Sequence, residues 1–161
     1  MIEYSINKDL FHFKYLPEYA AFLLKNKLEE FTIVGIRFCR QFDLPMLKPL
    51  AKISEKELTN LSIESNRQLL KALSENRITE FIEKNTQSWI DNKIGILDQN
   101  EVQAEDLSLA YFIRRKTFGN FLYAYSPNPT IHQLITEEVD LYTTQEEVIN
   151  LKVYLQMHSI H

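Results

Sequence analysis

From Ile131 to His161 the chain carries no glycine and no proline, and apolar residues recur along it at helical spacing. Such a run satisfies its backbone hydrogen bonds most directly as one long helix. Ser126-Pro127-Asn128-Pro129 ends the preceding element, and the last helix is expected to begin after Pro129. The helix predicted over 130–161 shows two apolar seams. Leu134, Leu141, Val148 and Leu155 recur every seven residues, while Ile135, Val139, Tyr142, Ile149, Val153, Met157 and Ile160 form an adjacent stripe interrupted at Glu146. A helix apolar over so wide an arc serves two neighbours. Both seams can pack within one chain, or the heptad seam can meet its twin in a four-helix dimer interface. A homodimer is the expectation, and with no stop signal before His161 the helix is expected to lead on into an output domain.

Upstream, three Gly and five Pro in 161 residues are too few for a sheet with its tight turns, so short-looped helices are favoured. At this length and 45% hydrophobic content one all-α domain over 1–161 is expected, with residues 1–15 as an aromatic arm packed on the body. Pro17 and Glu18 suit a helix start, and the pattern predicts one helix from there to Gln41. Phe42-Asp43-Leu44-Pro45 breaks it, and a short helix from Pro45 to about Lys52 follows. Ser54-Glu55-Lys56-Glu57 has the form of a capping box. The helix it opens carries Leu58, Leu61, Leu69, Leu70 and Leu73, and a second apolar pattern runs from Ile78 to Gly95, with Asn76 either breaking or kinking the two. A further helix is predicted from about Val102 to Tyr125, ended by Ser126-Pro127-Asn128-Pro129.

A net charge of −4 and no basic stripe give no electrostatic reason to bind nucleic acid. The start of the chain lacks a signal-peptide pattern and no apolar run reaches membrane-spanning length, so a cytoplasmic domain without membrane contact is expected. Cys39 forms no internal disulfide, being the single cysteine.

Candidate chemistry is sparse. His12, His132, His158 and His161 form no zinc-type spacing, and phosphate-loop and nucleophile-elbow motifs are absent. Cys39 lies between Arg37 and Arg40 in helical register; neighbouring cations that depress its pKa would make it a redox thiol, and otherwise it is a small core filler. The pairs Glu29-Glu30, Glu105-Asp106 and Glu146-Glu147, and Glu137-Glu138 with Asp140, point to different azimuths and read as solvated faces. Glu137, Glu138 and Asp140 can also face Arg114-Arg115-Lys116 across a helical hairpin. Trp89, Tyr111 and Phe118 line a cavity or belong to the core; spacing alone does not separate the two.

Three phrases carry a family resemblance: Phe42-Asp43-Leu44-Pro45-Met46-Leu47-Lys48, Leu73-Ser74-Glu75-Asn76-Arg77, and Ala104-Glu105-Asp106-Leu107-Ser108-Leu109-Ala110-Tyr111-Phe112-Ile113-Arg114-Arg115-Lys116. They resemble the helical N-terminal domains that precede PAS and histidine-kinase modules in bacterial sensors, a group similar to the RsbR-type sensory domain, a globin-like fold without haem. The resemblance spans most of residues 17–157. It implies a non-catalytic, dimeric input domain that needs no cofactor and signals through its final helix, with a long antiparallel C-terminal helix pair. Residues 54–101 contain no His, so a proximal haem ligand has no candidate there. The alternative is a stand-alone interaction module that binds a partner through the aromatic arm or the exposed seam.

Overall fold

The computed structural model describes residues 1–159 and is all-helical; among those residues no strand forms, and Ile94 and Leu97 share a single isolated bridge. Ile160 and His161, the last stripe residue and the last histidine, lie outside the described residues.

Where one helix is expected from Pro17 to Gln41, two form: α1 (Leu16–Asn26) and α2 (Leu28–Gln41). Lys27 leaves helical geometry at φ −137° and ψ 14°, yet its N–H bonds to Leu23 O and its carbonyl accepts from Phe31 N, so the break orphans neither group. No Gly or Pro marks it. The break lets both segments pack on α4 (Glu55–Ser74), while α1 buries Leu16, Tyr19, Ala20 and Leu23, and α2 buries Phe31, Thr32 and Val34.

The chain turns after α2 at Asp43, whose φ of 53° is left-handed, and passes through the single turn α3 (Leu47–Leu50). Ser54 caps α4, its Oγ accepting from Glu57 N at 3.2 Å. Asn76 at φ 55° separates α4 from α5 (Ile78–Ile90), so it breaks the helix rather than kinking it. Asn92, also at φ 55°, reverses the chain after α5 three residues before Gly95, the expected stop. Asp and Asn tolerate this region because their short side chains bond locally. Gly95, at φ 72°, instead serves the bridged turn that follows.

The helix expected over Val102–Tyr125 is likewise divided, into α6 (Ala104–Gly119) and the short α7 (Leu122–Tyr125). Asn128 Oδ1 then accepts from Thr130 N, and α8 runs from Pro129 to Met157 with His158 as its C-cap. α6 packs on both α2 and α8, and α5 also reaches α8. The N-terminal arm, with one 3-10 turn at Lys8–Phe11, packs against α8 and α5 and sends Phe11 and Phe13 into the core.

The buried apolar residues fall into two clusters. The larger joins α1, α2, α4, α5, α6 and α8 as far as Ile149 around Tyr19, Leu70, Phe118 and Tyr142. The smaller consists of Trp89, Val102, Leu107 and Val153, with Ile94, Tyr154 and Met157 packed against it. Between them lies a polar seam.

Candidate functional site

That seam is a chain of hydrogen bonds across three helices. Thr86 Oγ1 on α5 donates to Asn150 Oδ1 on α8 at 3.2 Å, and Asn150 Nδ2 donates to Tyr111 Oη on α6 at 2.6 Å. One turn away, Arg114 Nη1 donates to Glu146 Oε2 and to Tyr142 Oη, both at 2.8 Å, while Tyr142 Oη donates to Glu146 Oε1 at 3.1 Å. The Arg114 guanidinium also lies 5.2 Å from the Tyr111 ring centroid.

The interruption of the stripe at Glu146 is therefore no interruption: its carboxylate points inward with the stripe and is buried among its partners. A buried carboxylate persists only when paired and hydrogen-bonded, and Arg114 and Tyr142 supply both. Burial would lower the Arg114 pKa, but Tyr142 and Glu146 outweigh it and hold the guanidinium charged. Burial, followed by the charge of Glu146, pushes the Tyr111 phenol well above its ordinary value; burial raises Tyr142 likewise, against the opposing pull of Arg114. Both phenols stay neutral, so one cation faces one anion.

Against this polar chain opens a cavity of about 260 Å³. Its apolar walls include Met46, Phe81, Ile82, Ile94, Val102 and Leu107, and its polar edge includes Thr86, Tyr111, Arg114, Glu146 and Asn150. Trp89 lines it as well, 6% exposed, and its Nε1–H has no acceptor among the protein atoms. Of the three aromatics offered by the sequence, Trp89 and Tyr111 thus line a cavity, whereas Phe118 sits in the main core against Tyr19 and Phe31.

The heptad seam lies on another flank of α8. Leu141 and Val148 are each 40% exposed and Leu155 67%, with Leu134 half-buried. Cys39 is half-buried in a second cleft, of about 220 Å³, between α2, α4 and α6. Burial raises its thiol pKa, outweighing the opposing effect of Arg40, which is the direction opposite to that of the redox-thiol alternative.

Several carboxylates expected on solvated faces have specific tasks. Asp106, 1% exposed, accepts from Met46 N at 2.7 Å and Gln103 N at 2.9 Å, tying the α2–α3 turn to the start of α6. Glu138 accepts from the backbone N–H groups of Lys14, Tyr15 and Leu16 at 2.7–2.9 Å, anchoring the start of α1 to α8. The alternative pairing of Arg114-Arg115-Lys116 with Glu137, Glu138 and Asp140 is displaced toward the end of α8. Arg114 meets Glu146, and Arg115 meets Thr143 at 3.2 Å and Glu147 at 3.8 Å. Loop length set the displacement: α7 and the Ser126–Asn128 turn occupy the span between the two long helices.

The sequence did hold a signal for the missed cluster. A carboxylate at an inward position of an apolar stripe requires a buried cation, and Arg114 is within the one cationic triplet of the preceding helix. Asn150 and Thr86 gave no comparable signal, since short polar residues are tolerated at any helical azimuth. His132 is buried and bonds through Nε2 to Ser126 O, a structural role at the start of α8. Among the described residues no group of three or more His, Cys, Asp or Glu is placed to hold a metal ion, and no helix is long and apolar enough to cross a membrane. Compared with known proteins, the chain matches no protein-family model, no curated protein and no solved structure.

Proposed function

We propose that this chain is a non-catalytic signal-input domain of the bacterial sensor type, in which α8 couples the interior to a second copy of the chain. The observation that carries this reading is the double use of α8. One flank supplies Tyr142, Glu146 and Asn150 to the polar chain at the cavity, and another leaves Leu141, Val148 and Leu155 in solvent at a seven-residue spacing. Heptad-spaced apolar residues on a helix lose solvent contact most efficiently against an equivalent helix. A change at the cavity then alters the set of α8, and with it the paired seam.

The accompanying fold reading is a globin-like bundle closed by an antiparallel pair, α6 and α8. In its favour, partners rise in number along α8 as they fall along α6: Arg115 with Thr143, Arg114 with Glu146, Tyr111 with Asn150. The aromatic arm is a poorer partner surface than the seam, because Phe11 and Phe13 are already buried.

Sedimentation velocity tests the reading. The protein is expected to be a dimer at micromolar concentration, and Val148→Asp to convert it to a monomer with unchanged helical circular dichroism. A wild-type monomer across the concentration range would remove the dimeric mechanism.

A further inference from the structure

We propose that the cavity between α5, α6 and α8 binds a small, neutral, largely apolar molecule that presents one hydrogen-bond acceptor, a carbonyl oxygen, to the Trp89 Nε1–H. This deepens the input-domain reading and rests on it for its signalling consequence, though not for the binding itself.

The first argument is the unpaired donor. Buried polar groups are hydrogen-bonded in nearly all proteins, and an orphaned one costs about 1–3 kcal/mol. Among the described residues, Trp89 Nε1 is the buried side-chain nitrogen or oxygen left without a partner. It belongs to a side chain that lines a cavity, and although the atom itself is closed off, an acceptor entering there recovers that cost once the indole turns to meet it.

Charge gives the second argument. Arg114 is matched by Glu146 and Tyr142 at hydrogen-bond distance, so the polar edge offers no net charge to an ion. A carboxylate or ammonium ligand would be desolvated without compensation, whereas a neutral carbonyl would not.

Water is a poor alternative partner for the indole. A buried water needs two to four polar partners. Those that the cavity offers stand at its polar edge, on Thr86, Tyr111, Arg114, Glu146 and Asn150. The walls nearest the indole, Ile94, Val102 and Leu107, offer nothing to a water but favour a hydrocarbon body. At about 260 Å³ the cavity falls just below the usual range of about 300–1,000 Å³ for ligand pockets, which sets the ligand below drug size.

Such a ligand would span the two apolar clusters. Ile82 belongs to the larger and Trp89, Val102 and Leu107 to the smaller, and all four line the cavity. Trp89 also stacks on Tyr154 of α8 with centroids 6.5 Å apart, so its ring orientation is felt directly by the signalling helix.

The test uses the single tryptophan of the chain. In uniformly ¹⁵N-labelled full-length protein, Trp89 supplies one indole N–H resonance. Cycloheptanone and 2-heptanone are titrated in parallel with cycloheptane and heptane. At least one ketone is expected to give a saturable downfield shift of that resonance and to bind at least tenfold tighter than its hydrocarbon. Calorimetry on Trp89→Phe, checked for folding by circular dichroism, should show the ketone preference lost. The proposal is overturned if neither ketone moves the resonance up to its solubility limit, if hydrocarbons bind equally well, or if Trp89→Phe keeps the preference. Sedimentation of the same samples separates the two readings: a dimer that ignores the ketones defeats the ligand assignment alone, and a monomer that binds them defeats the dimeric mechanism alone.

Discussion

Glu146 and Arg114 decide how the interior of this domain tolerates charge. Breaking a buried ion pair by deleting one partner costs about 3–5 kcal/mol, because the other charge is stranded. Arg114 keeps 27% of its side chain open, which relieves part of that penalty. Glu146→Ala is therefore expected to destabilise the fold by about 3 kcal/mol, at the low end of that range, in urea unfolding. The triple variant Arg114→Met, Glu146→Leu, Tyr142→Phe removes both charges and the Tyr142 hydroxyl together, leaving no stranded charge, and should recover most of the loss. A triple variant as unstable as Glu146→Ala would show that the network stabilises by more than mutual neutralisation. At this scale the sequence was legible where one residue type fits one local role, as with Ser54 at the start of α4. It was not legible for Asp106 and Glu138, whose partners are backbone groups on other segments, since a carboxylate on a solvated face has the same local signature.

Among the elements, α1 depends most on a distant residue. Its first turn offers N–H groups that no intrahelical carbonyl can accept, and its N-cap residue Tyr15 supplies no side-chain bond. Glu138, from the middle of α8, meets those groups with three charge-assisted hydrogen bonds. Glu138→Ala should lower stability by about 2 kcal/mol, within the range for hydrogen bonds to a charged group. Amide exchange of Tyr15 and Leu16 should accelerate more than that of α4; equal effects on both would mean the anchor is not local. Helix existence was readable from apolar period throughout, but the breaks at Lys27 and after Gly119 were not. Neither lies at a proline, and at Lys27 the break goes with the packing of both flanking segments on α4.

For the molecule as a whole, the division of the core into two clusters has a dynamic consequence. The smaller cluster of Trp89, Val102, Leu107 and Val153 buries far less apolar surface and is separated from the larger by the cavity. Local opening free energies follow buried contact. Amides around Val153 to Met157 are expected to exchange roughly tenfold or more faster than those of Leu69 to Leu73. Uniform protection would mean that both clusters open as one unit. The sequence by itself determined that the chain is helical, where most helices begin, and that the last helix has two apolar flanks, because these follow from period, capping and the scarcity of glycine. Only the tertiary structure decided which flank is covered, that Glu146 turns inward to Arg114, and that an indole N–H remains without a partner beside a cavity. Those outcomes depend on which surfaces meet across long stretches of chain, 32 residues between Arg114 and Glu146 and 64 between Thr86 and Asn150, and such meetings leave no mark on local spacing.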